Sequence, residues 1–348
     1  MDLRTFGWDE RWAATLAALD NPKLEIGRIT AQFTGIFRAA TTHGEILARV
    51  TGSFRHRHRE SQLTPVIGDW VALLVPPDGG QGAIHALLPR RTVLVRKAAG
   101  RSAKEQVIAA NVQRAFLMTG LDGDYNLRRI ERYLLVAAEN DVTPVIVLNK
   151  MDLCPASGKR VAEVERIAGG IPVLSISALT GESIDQLRAF LAPGETVVLL
   201  GSSGAGKSTL INQLFGRARQ TVREVREWDQ RGRHTTVNRE LFVLPCGALI
   251  IDTPGLRELQ PWETGRKSAD TFADVEQFTI HCRFADCQHG TEPGCAVREA
   301  IARGELSEER LKSYLKLTDE SQALTSHRER LSRRGSRQRI PTGGQKQK

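Results

Sequence analysis

The sequence lacks any long apolar stretch, since no run approaches the roughly 18 apolar residues that a membrane-spanning helix needs. Its N-terminus also lacks the uninterrupted apolar segment of a secretory signal peptide, because charged residues break it throughout. These residues are Asp2, Arg4, Asp9, Glu10 and Arg11. The 348 residues, of which 41% are apolar, suffice for two or three ordinary domains. We therefore expect a cytoplasmic protein that has no membrane partner.

Acidic residues are in the minority, with 40 Asp and Glu against 49 Lys and Arg, which gives a net charge of +9. This excess favours a polyanionic partner, and nucleic acid is the first candidate. A basic protein without such a partner is the alternative. Cysteine is scarce as well, but three of the five cysteines lie between Cys282 and Cys295, beside His289. In a cytosolic chain this clustering predicts metal binding rather than a disulfide.

Hydrophobic periodicity divides the N-terminal part of the chain into two regions. Residues 1–23 place apolar side chains at spacings of three or four, which predicts one amphipathic helix packed on the body of the protein. Residues 24–97 contain about five short alternating segments, which predict a small barrel of the oligonucleotide/oligosaccharide-binding (OB) type. The segments are Gly27–Phe33, Ile36–Ala40, Glu45–Val50, Asp69–Leu74 and Gly82–Leu88. The basic segment Arg55–Arg59 is either a contact to a nucleic-acid backbone or a solvated loop.

The rest of the chain has a different pattern. Residues 97–112 are interpreted as a linker and a lead-in helix. Strands and helices then alternate, so residues 104–262 predict an α/β domain with a mostly parallel sheet. Residues 263–326 are polar and mostly helical and contain the cysteine cluster. Residues 327–348 form a basic tail that we expect to be disordered until it meets a partner.

A glycine-rich loop lies between the apolar segment Val197–Leu200 and the helix-like segment that follows, and it has the form G-x-x-x-x-G-K-S. This strand–loop–helix context is the one in which such a loop binds phosphate, because its N–H groups and the helix N-terminus point at the ligand. Lys207 is expected to contact the β- and γ-phosphates, and Ser208 to ligate Mg²⁺. The residues assigned to this nucleotide contact are Gly201, Ser202, Ser203, Gly204, Ala205, Gly206, Lys207, Ser208 and Thr209.

A second motif predicts that the base is guanine. Asn149, Lys150, Met151 and Asp152 follow the apolar strand Val145–Leu148. The Asp152 carboxylate can accept two hydrogen bonds from the guanine edge, and adenine lacks those donors. Ser177 and Ala178 follow another apolar strand, and a backbone N–H there is expected to contact the guanine O6.

Two further segments are predicted to contact the γ-phosphate and its Mg²⁺ ion. Asp252 ends the apolar strand Ala248–Ile251 and is expected to hold Mg²⁺ through water, while the N–H of Gly255 would sense the γ-phosphate. Upstream lies the string Gly232-Arg233-His234-Thr235-Thr236. Either Thr235 or Thr236 is expected to contact Mg²⁺, and the spacing does not choose between them.

Cys282, Cys287, His289 and Cys295 offer three thiolates and one imidazole. A closed set of this kind is suited to one structural zinc ion, with no open position for catalysis. Reduced cysteines beside a surface histidine are the alternative interpretation.

The order of the nucleotide motifs is unusual. Most GTPases run from the phosphate loop through the switch threonine and DxxG to NKxD, whereas here NKxD precedes the phosphate loop. The chain resembles the RsgA/YjeQ family in three features: the permuted order of its motifs, the string around His234, and the Cys/His pattern. The resemblance covers almost the whole chain, and it implies a multidomain protein with an OB barrel, a circularly permuted P-loop GTPase domain and a mostly α zinc domain.

The resemblance also implies a function. Members are GTPases that bind the 30S subunit and its 16S rRNA and assist its late maturation, with hydrolysis of GTP to GDP stimulated by the subunit and coupled to release. His234 matches the family's switch histidine, which implies a catalytic role beside Lys207. The residue after Gly255 is Leu256, which cannot orient water as a glutamine does. Either His234 or a ribosomal group is therefore expected to position the water. We also expect a monomer.

Three alternatives to this function stay open at the level of sequence. The first is a GTP-gated rRNA-binding scaffold in which hydrolysis is incidental, which the presence of Leu256 favours. The second is an ATP-dependent enzyme, against which Asp152 argues. The third is a GTPase that acts on mature ribosomes, because its RNA contacts would look alike in sequence.

Overall fold

The structure is a computed structural model, and it describes residues 1–19, 21–59, 63–77, 80–97, 105–216, 239–252, 272–284, 286–316 and 318. The chain divides into two compact units. The first unit comprises Met1–Arg96 and Gln106–Gln260, and the second comprises Lys97–Glu105 and Pro261–Lys348. Within the described ranges, no helix combines the length and the apolar character that crossing a membrane requires.

The N-terminal segment is not the single helix that its periodicity predicts. It consists of two 3₁₀ turns and a short helix α1, at Leu3–Phe6, Glu10–Trp12 and Ala13–Ala17. Gly7 ends the first turn in the left-handed conformation, with φ of 79°, and Asp9 caps the next turn by accepting from the Arg11 N–H. The cap and the glycine break the helix in two, which a count of apolar spacings does not detect.

The expected packing of this segment on the body of the protein is confirmed. Trp12 is buried, and its ring lies 5.8 Å from the ring of Trp8 and 5.5 Å from that of Trp70 in the barrel. The Arg91 guanidinium lies 3.5 Å from the centre of the Trp12 ring. Aromatic and cation–π contacts therefore attach the N-terminus to the barrel.

The barrel expected near the N-terminus is present. Its strands are β1 (Glu25–Gln32), β2 (Phe37–Thr41), β3 (Gly44–Val50), β4 (Trp70–Leu74) and β5 (Gly82–Leu87). They are hydrogen-bonded in the order β1-β2-β3-β5-β4, and β4 pairs with β1 to close the barrel. The basic segment that begins at Arg55 lies in a short helix, α2 (Gly52–Arg57), rather than in a loop. Thr51 caps this helix by accepting from the Phe54 N–H.

The prediction of a helix within residues 97–112 is wrong. The chain forms two paired strands instead, β6 (Val93–Lys97) and β7 (Glu105–Ala110). Leu94 and Ile108 are fully buried in the main core. A short apolar run such as this one cannot be assigned to a helix or a strand from periodicity alone, and here the partner strand decides.

The nucleotide domain has the predicted alternation of strands and helices. Its strands are β8 (Arg114–Gly120), β9 (Thr143–Asn149), β10 (Val173–Ser175), β11 (Thr196–Gly201), β12 (Arg239–Val243) and β13 (Leu249–Asp252). Its helices are α3 (Leu127–Glu139), α4 (Ser157–Ala168), α5 (Ile184–Arg188) and α6 (Lys207–Phe215). The strands are ordered β10-β9-β8-β11-β13-β12, all parallel except β12, which confirms the mostly parallel sheet.

Both faces of this sheet are covered by helices. Leu117 of β8 packs in the core that contains α3 and α4, whereas its neighbour Phe116 packs in the core that contains α5 and α6. Successive residues of a strand point to opposite faces, so a strand buried on both sides must be apolar throughout. This explains why the strands of this domain are visible in the sequence as continuous apolar runs.

The barrel and the nucleotide sheet are one continuous sheet. Antiparallel pairing of β1 with β12 places Ala31 opposite Glu240 and Gln32 opposite Arg239. The Arg239 guanidinium also donates to the carbonyl oxygen of Ile108 at 3.1 Å. Strand β12 therefore belongs to the sheet of the nucleotide domain and lies beside the barrel at the same time.

The second unit is helical around the cysteine cluster, as predicted. Its helices are α7 (Ala273–Thr279), α8 (Ala296–Ala302) and α9 (308–316). Arg310 forms a two-pronged ion pair with Asp274, with both N–O distances at 2.8 Å, and its guanidinium lies over the Phe272 ring. A bidentate pair of this kind fixes the orientation of α9 relative to α7.

Candidate nucleotide site and metal centre

The parallel strands of the nucleotide domain end at one edge of the sheet, and the predicted motifs begin there. Gly201 at the end of β11 lies opposite Met118 of β8, and Gly120 at the end of β8 lies opposite Asn149 of β9. Asp252 ends the neighbouring strand β13. Ligands of open parallel sheets bind at this carboxyl edge. The fold therefore brings together the segments that the sequence predicts to read the base and to bind phosphate.

The glycine-rich loop turns between β11 and α6, as the sequence predicts. Gly204 and Gly206 have φ of 91° and 93°, which is left-handed backbone that glycine adopts without strain. The ammonium group of Lys207 donates to the carbonyl oxygens of Gly201 and Ser202, at 2.8 and 2.7 Å. Lys207 thus spans its own loop and is held at the N-terminus of α6.

The charge of Lys207 is set by its surroundings. Burial lowers its pKa, and the nearby carboxylates of Asp252 and Asp124 oppose that shift. Both carboxylates therefore lie close enough to the lysine to act on it electrostatically. Lys207 at the start of α6 and Asp252 at the end of β13 are thus electrostatically coupled beside the phosphate loop.

Asn149 contacts two separate segments of the site, the phosphate loop and the Ser177–Ala178 segment. Its side chain is buried, donates from Nδ2 to the Ala205 carbonyl of the phosphate loop, and accepts at Oδ1 from the Ala178 N–H, both at 2.9 Å. A side chain at Gly206 would collide with this amide, since its Cβ would lie 2.1 Å from Nδ2. Asn149 therefore holds the phosphate loop and the Ser177–Ala178 segment in fixed positions.

The other residues predicted to read the base follow Asn149 directly. Lys150 has left-handed backbone, with φ of 66°, and its ammonium donates to the Asp122 carboxylate at 2.6 Å. Asp152 is exposed in the middle of a 3₁₀ turn, Met151–Leu153. The Ala178 N–H, expected to contact guanine, is engaged by Asn149, so a base contact from Ala178 requires that this bond be exchanged.

Several assigned residues lie outside the described residues. They are His234, Thr235, Thr236 and Gly255, together with the rest of the string that begins at Gly232. The basic tail, 327–348, lies outside them as well. The structure therefore bears on the base-reading and phosphate-loop residues and on Asp252.

The four residues of the Cys/His pattern meet in space. The ligand atoms of Cys282, Cys287, His289 and Cys295 all lie within 4.8 Å of one another. Nδ1 of His289 lies 3.6 Å from the sulfur of Cys282 and 3.5 Å from that of Cys295. Burial lowers the pKa of His289, which favours the neutral imidazole that metal ligation requires. This cluster can hold a metal ion.

Residues around the cluster fix its histidine and its loop. Arg298 of α8 donates to the His289 carbonyl oxygen at 2.7 Å, and it forms an ion pair with Glu308 of α9 at 2.9 Å. The Glu292 carboxylate accepts from the N–H groups of Gln288 and Gly290, at 2.9 and 2.7 Å. Metal-ligand positions are maintained by outer contacts of this kind.

Sequence reasoning missed two acidic residues of the site, Asp122 and Asp124, in the loop after β8. Asp122 pairs with Lys150, and Asp124 accepts a hydrogen bond from the Ser202 hydroxyl of the phosphate loop and pairs with Arg129. A signal was available, because the two carboxylates follow a buried strand just as Asp152 and Asp252 do. Neither carboxylate belongs to the nucleotide motifs identified in the sequence.

Comparisons with known proteins agree with this geometry. A family model described as RsgA GTPase matches residues 87–262, and one described as 50S ribosome-binding GTPase matches residues 196–336. The second match begins at Thr196, the first residue of β11, as expected when the usual N-terminal half of a GTPase comes second in the chain.

Curated relatives match over most of their length and carry the name small ribosomal subunit biogenesis GTPase RsgA. The one from Opitutus terrae is 46% identical, over 92% of this chain and 90% of that relative. The one from Syntrophotalea carbinolica is 42% identical, over 99% of this chain and 98% of that relative. The one from Xylella fastidiosa strain M12 is 52% identical, over 73% and 75%.

Two solved structures are similar. YjeQ from Thermotoga maritima gives a TM-score of 0.61 at 27% identity, covering 86% of this chain and 98% of that one. YloQ, described as a circularly permuted GTPase, gives a TM-score of 0.58 at 23% identity, covering 87% of this chain and 97% of that one. This second likeness concerns the fold alone.

Proposed function

Because this chain belongs to the RsgA family of GTPases, we propose that it binds the 30S ribosomal subunit and assists its late maturation. Subunit-stimulated hydrolysis of GTP to GDP and phosphate then releases it. The observation that carries the proposal is the double contact of Asn149, which ties a guanine-type motif to a phosphate loop. The relatives named for small ribosomal subunit biogenesis supply the partner. The protein would act in the cytoplasm and as a monomer.

In this proposal the base-reading and phosphate contacts come from separate segments. The two hydrogen bonds of the Asn149 side chain form a clamp between the phosphate loop and Ala178. Asp152, which is exposed three residues after Asn149, accepts the hydrogen bonds of guanine. Lys207 exchanges its two carbonyl partners for phosphate oxygens. Ser208 at the start of α6 and Asp252 at the end of β13 would hold Mg²⁺, which neutralises charge that develops on the phosphates. His234, or a ribosomal group, would orient the attacking water.

The cysteine cluster is proposed to hold one zinc ion per chain. Tetrahedral zinc has bonds of about 2.3 Å to sulfur and about 2.0 Å to nitrogen, which separates these ligands by about 3.5 Å. The distances from Nδ1 of His289 to the sulfurs of Cys282 and Cys295, 3.6 and 3.5 Å, fit that value. With four protein ligands the site is closed, so its role is structural.

The proposed RNA contact rests on charge. The chain carries a net charge of +9, and the exposed residues Arg55, His56 and Arg57 project from α2 of the barrel. Contacts from basic residues to phosphate groups would make subunit binding weaken as salt rises. The 16S rRNA is the polyanion that a factor of the small subunit meets.

A second candidate is a GTPase of the large subunit or of mature ribosomes. The match to a family model described as 50S ribosome-binding GTPase favours it. A third is a GTP-gated scaffold on rRNA with incidental hydrolysis, which the presence of Leu256 after Gly255 favours.

One assay separates these candidates. GTP hydrolysis by the purified protein is measured alone and with 30S, 50S or 70S particles, with ATP in parallel. We expect a slow basal rate that rises strongly with 30S particles and not with the others. Stimulation by 50S or 70S particles alone would favour the second candidate. Tight GTP binding without stimulation by any particle would favour the scaffold.

A further inference from the structure

The loop between β8 and α3 contacts both the Asn149–Asp152 segment and the phosphate loop. Asp122 accepts from the Lys150 ammonium at 2.6 Å, beside the base-reading residues. Two residues later, Asp124 accepts from the hydroxyl of Ser202 in the phosphate loop. Both carboxylates lie at the carboxyl edge of the sheet, and no assigned motif accounts for either of them. One short loop therefore touches the segment that reads guanine and the segment that binds phosphate.

The loop is held in place by its own contacts. The Leu121 N–H donates to the Asn149 carbonyl oxygen at 2.7 Å, and the Leu121 carbonyl accepts from Arg160 of α4 at 2.6 Å. The second oxygen of Asp122 accepts from the Asp124 N–H at 3.1 Å. Asp122 is thus fixed at both oxygens, one by its own loop and one by Lys150.

The space around this pair is filled. A Cβ at Gly120 would lie 2.4 Å from an oxygen of Asp122 and 3.4 Å from Cδ of Lys150. The backbone of β8 therefore approaches the ion pair more closely than a side chain would allow. Any other residue at Gly120 would displace Asp122, so the end of β8 is shaped to accept the pair.

Lys150 is held in an unusual conformation. Its backbone is left-handed, which is strained for a residue with a side chain and persists only where the surroundings determine it. Asn149, directly before Lys150, is buried, and Asp152, two residues after it, is exposed. The long side chain of a lysine loses much freedom when it is fixed, so fixing it before the ligand arrives favours binding.

We infer that Asp122 is a positioning residue for guanine nucleotides, because it fixes the Lys150 side chain beside the proposed base site before nucleotide binds. The inference rests on the proposed function, which makes the Asn149–Asp152 segment the guanine reader. Asp122 acts through Lys150 and does not itself touch the phosphates. The hydrogen bond from Lys150 lowers the pKa of Asp122, which keeps the carboxylate ionised at neutral pH.

Asp122→Asn tests the inference because it removes the charge and keeps the shape and the acceptor for the Asp124 N–H. We expect labelled GDP and a non-hydrolysable GTP analogue to dissociate faster, by about tenfold, a change of about 1.4 kcal/mol. The factor should be the same for both ligands, because the base site does not sense the γ-phosphate. In the stimulated reaction KM should rise while kcat stays unchanged.

A double-mutant cycle separates positioning from a general loss of structure. In a Lys150→Met background, where the ammonium is absent, Asp122→Asn should no longer change the dissociation rate. If it still accelerates dissociation about tenfold there, Asp122 acts through the fold of its loop and the inference is overturned. Asp185→Asn is the matched control, since Asp185 is an exposed carboxylate of the same unit that pairs with Arg188. It should release nucleotide at the parental rate.

The outcomes distinguish this inference from the proposed function. If the unmodified protein binds labelled GDP and prefers it over ADP while Asp122→Asn releases it at the same rate, only the inference fails. If the unmodified protein shows no preference for guanine nucleotides, the proposed function fails and the inference fails with it. Thermal unfolding of Asp122→Asn at the parental temperature, together with faster release, supports positioning.

Discussion

Arg38 of the barrel donates from Nη1 to Oε1 of Glu240 in the nucleotide sheet at 3.0 Å. Their side chains are only 11% and 18% exposed, and 202 residues separate them in the chain. The pair lies where β1 and β12 join the two sheets into one. Strand β12 is also the first described strand after the segment that contains His234.

Glu240→Ala should destabilise this junction, because it leaves the Arg38 guanidinium largely buried without that carboxylate. We expect the free energy of unfolding to fall by about 1–3 kcal/mol, measured by urea denaturation. Asp185→Ala removes a comparable pair at an exposed site, Asp185–Arg188, and should change it by less than about 1 kcal/mol. Equal effects of the two variants would contradict a role for the junction in stability.

Lys207→Ala and Ser208→Ala should each abolish stimulated GTP hydrolysis. The first removes the ammonium that spans the phosphate loop, and the second removes the hydroxyl at the start of α6 that is proposed to ligate Mg²⁺. Release of phosphate in the presence of 30S particles is the measurement. Lys159→Ala, at an exposed position on α4, serves as the control and should turn over normally. Normal turnover by either site variant would refute the assignment of the phosphate loop.

Asp152→Asn should weaken the preference for GTP over ATP. In the proposed site the carboxylate accepts two hydrogen bonds from guanine, whereas an amide could accept only one of them and would present a donor against the other. Competition of GTP and ATP for a labelled nucleotide measures the selectivity. Glu165→Gln, on the exposed side of α4, should leave the ratio unchanged. An unaltered ratio in Asp152→Asn would argue against its role as the base reader.

Asn149→Ala should lower both stability and nucleotide affinity. It leaves the Ala178 N–H and the Ala205 carbonyl without their side-chain partner, and a buried polar group left unpaired costs about 1–3 kcal/mol. Urea denaturation and binding of labelled GDP are the two measurements. Asn212→Ala, exposed on α6, is the control and should affect neither. Affinity retained by Asn149→Ala would show that the clamp does not organise the site.

Cys287→Ser or His289→Ala should release zinc from the purified protein. Each change leaves three ligands where a structural site uses four, and metal binding contributes folding free energy to such a region. Metal content by mass spectrometry should fall from one zinc per chain toward zero. Cys246→Ser, an exposed cysteine outside the pattern, should retain the metal. Full zinc content in both cluster variants would exclude the cluster as the binding site.

Much of the fold follows from local sequence, for a physical reason. Strands such as β9 and β11 are covered on both faces, so they must be apolar throughout and are visible as runs. The helix-like segment predicted after the glycine-rich loop is present as α6, at Lys207–Phe215. The Cys/His cluster could be found because its four residues lie close together in the chain, where spacing alone brings them into reach.

The N-terminal segment and the strands β6 and β7 show where local reasoning ends. Apolar spacing in residues 1–23 predicted a helix, but Gly7 and the Asp9 cap divide the segment into turns. The apolar run before Ala110 is too short for its period to identify it, and it became a strand because another strand was available to pair with it.

The sequence by itself determined the GTPase family of this protein and the residues proposed for its phosphate, guanine and metal sites, because these residues occur in short motifs whose spacing carries the information. Only the tertiary structure decided which distant groups meet. It joined β1 to β12, paired Arg38 with Glu240, and brought Asp122 to Lys150. Such contacts depend on how whole strands pack across the sheet, and no local pattern in the chain encodes them.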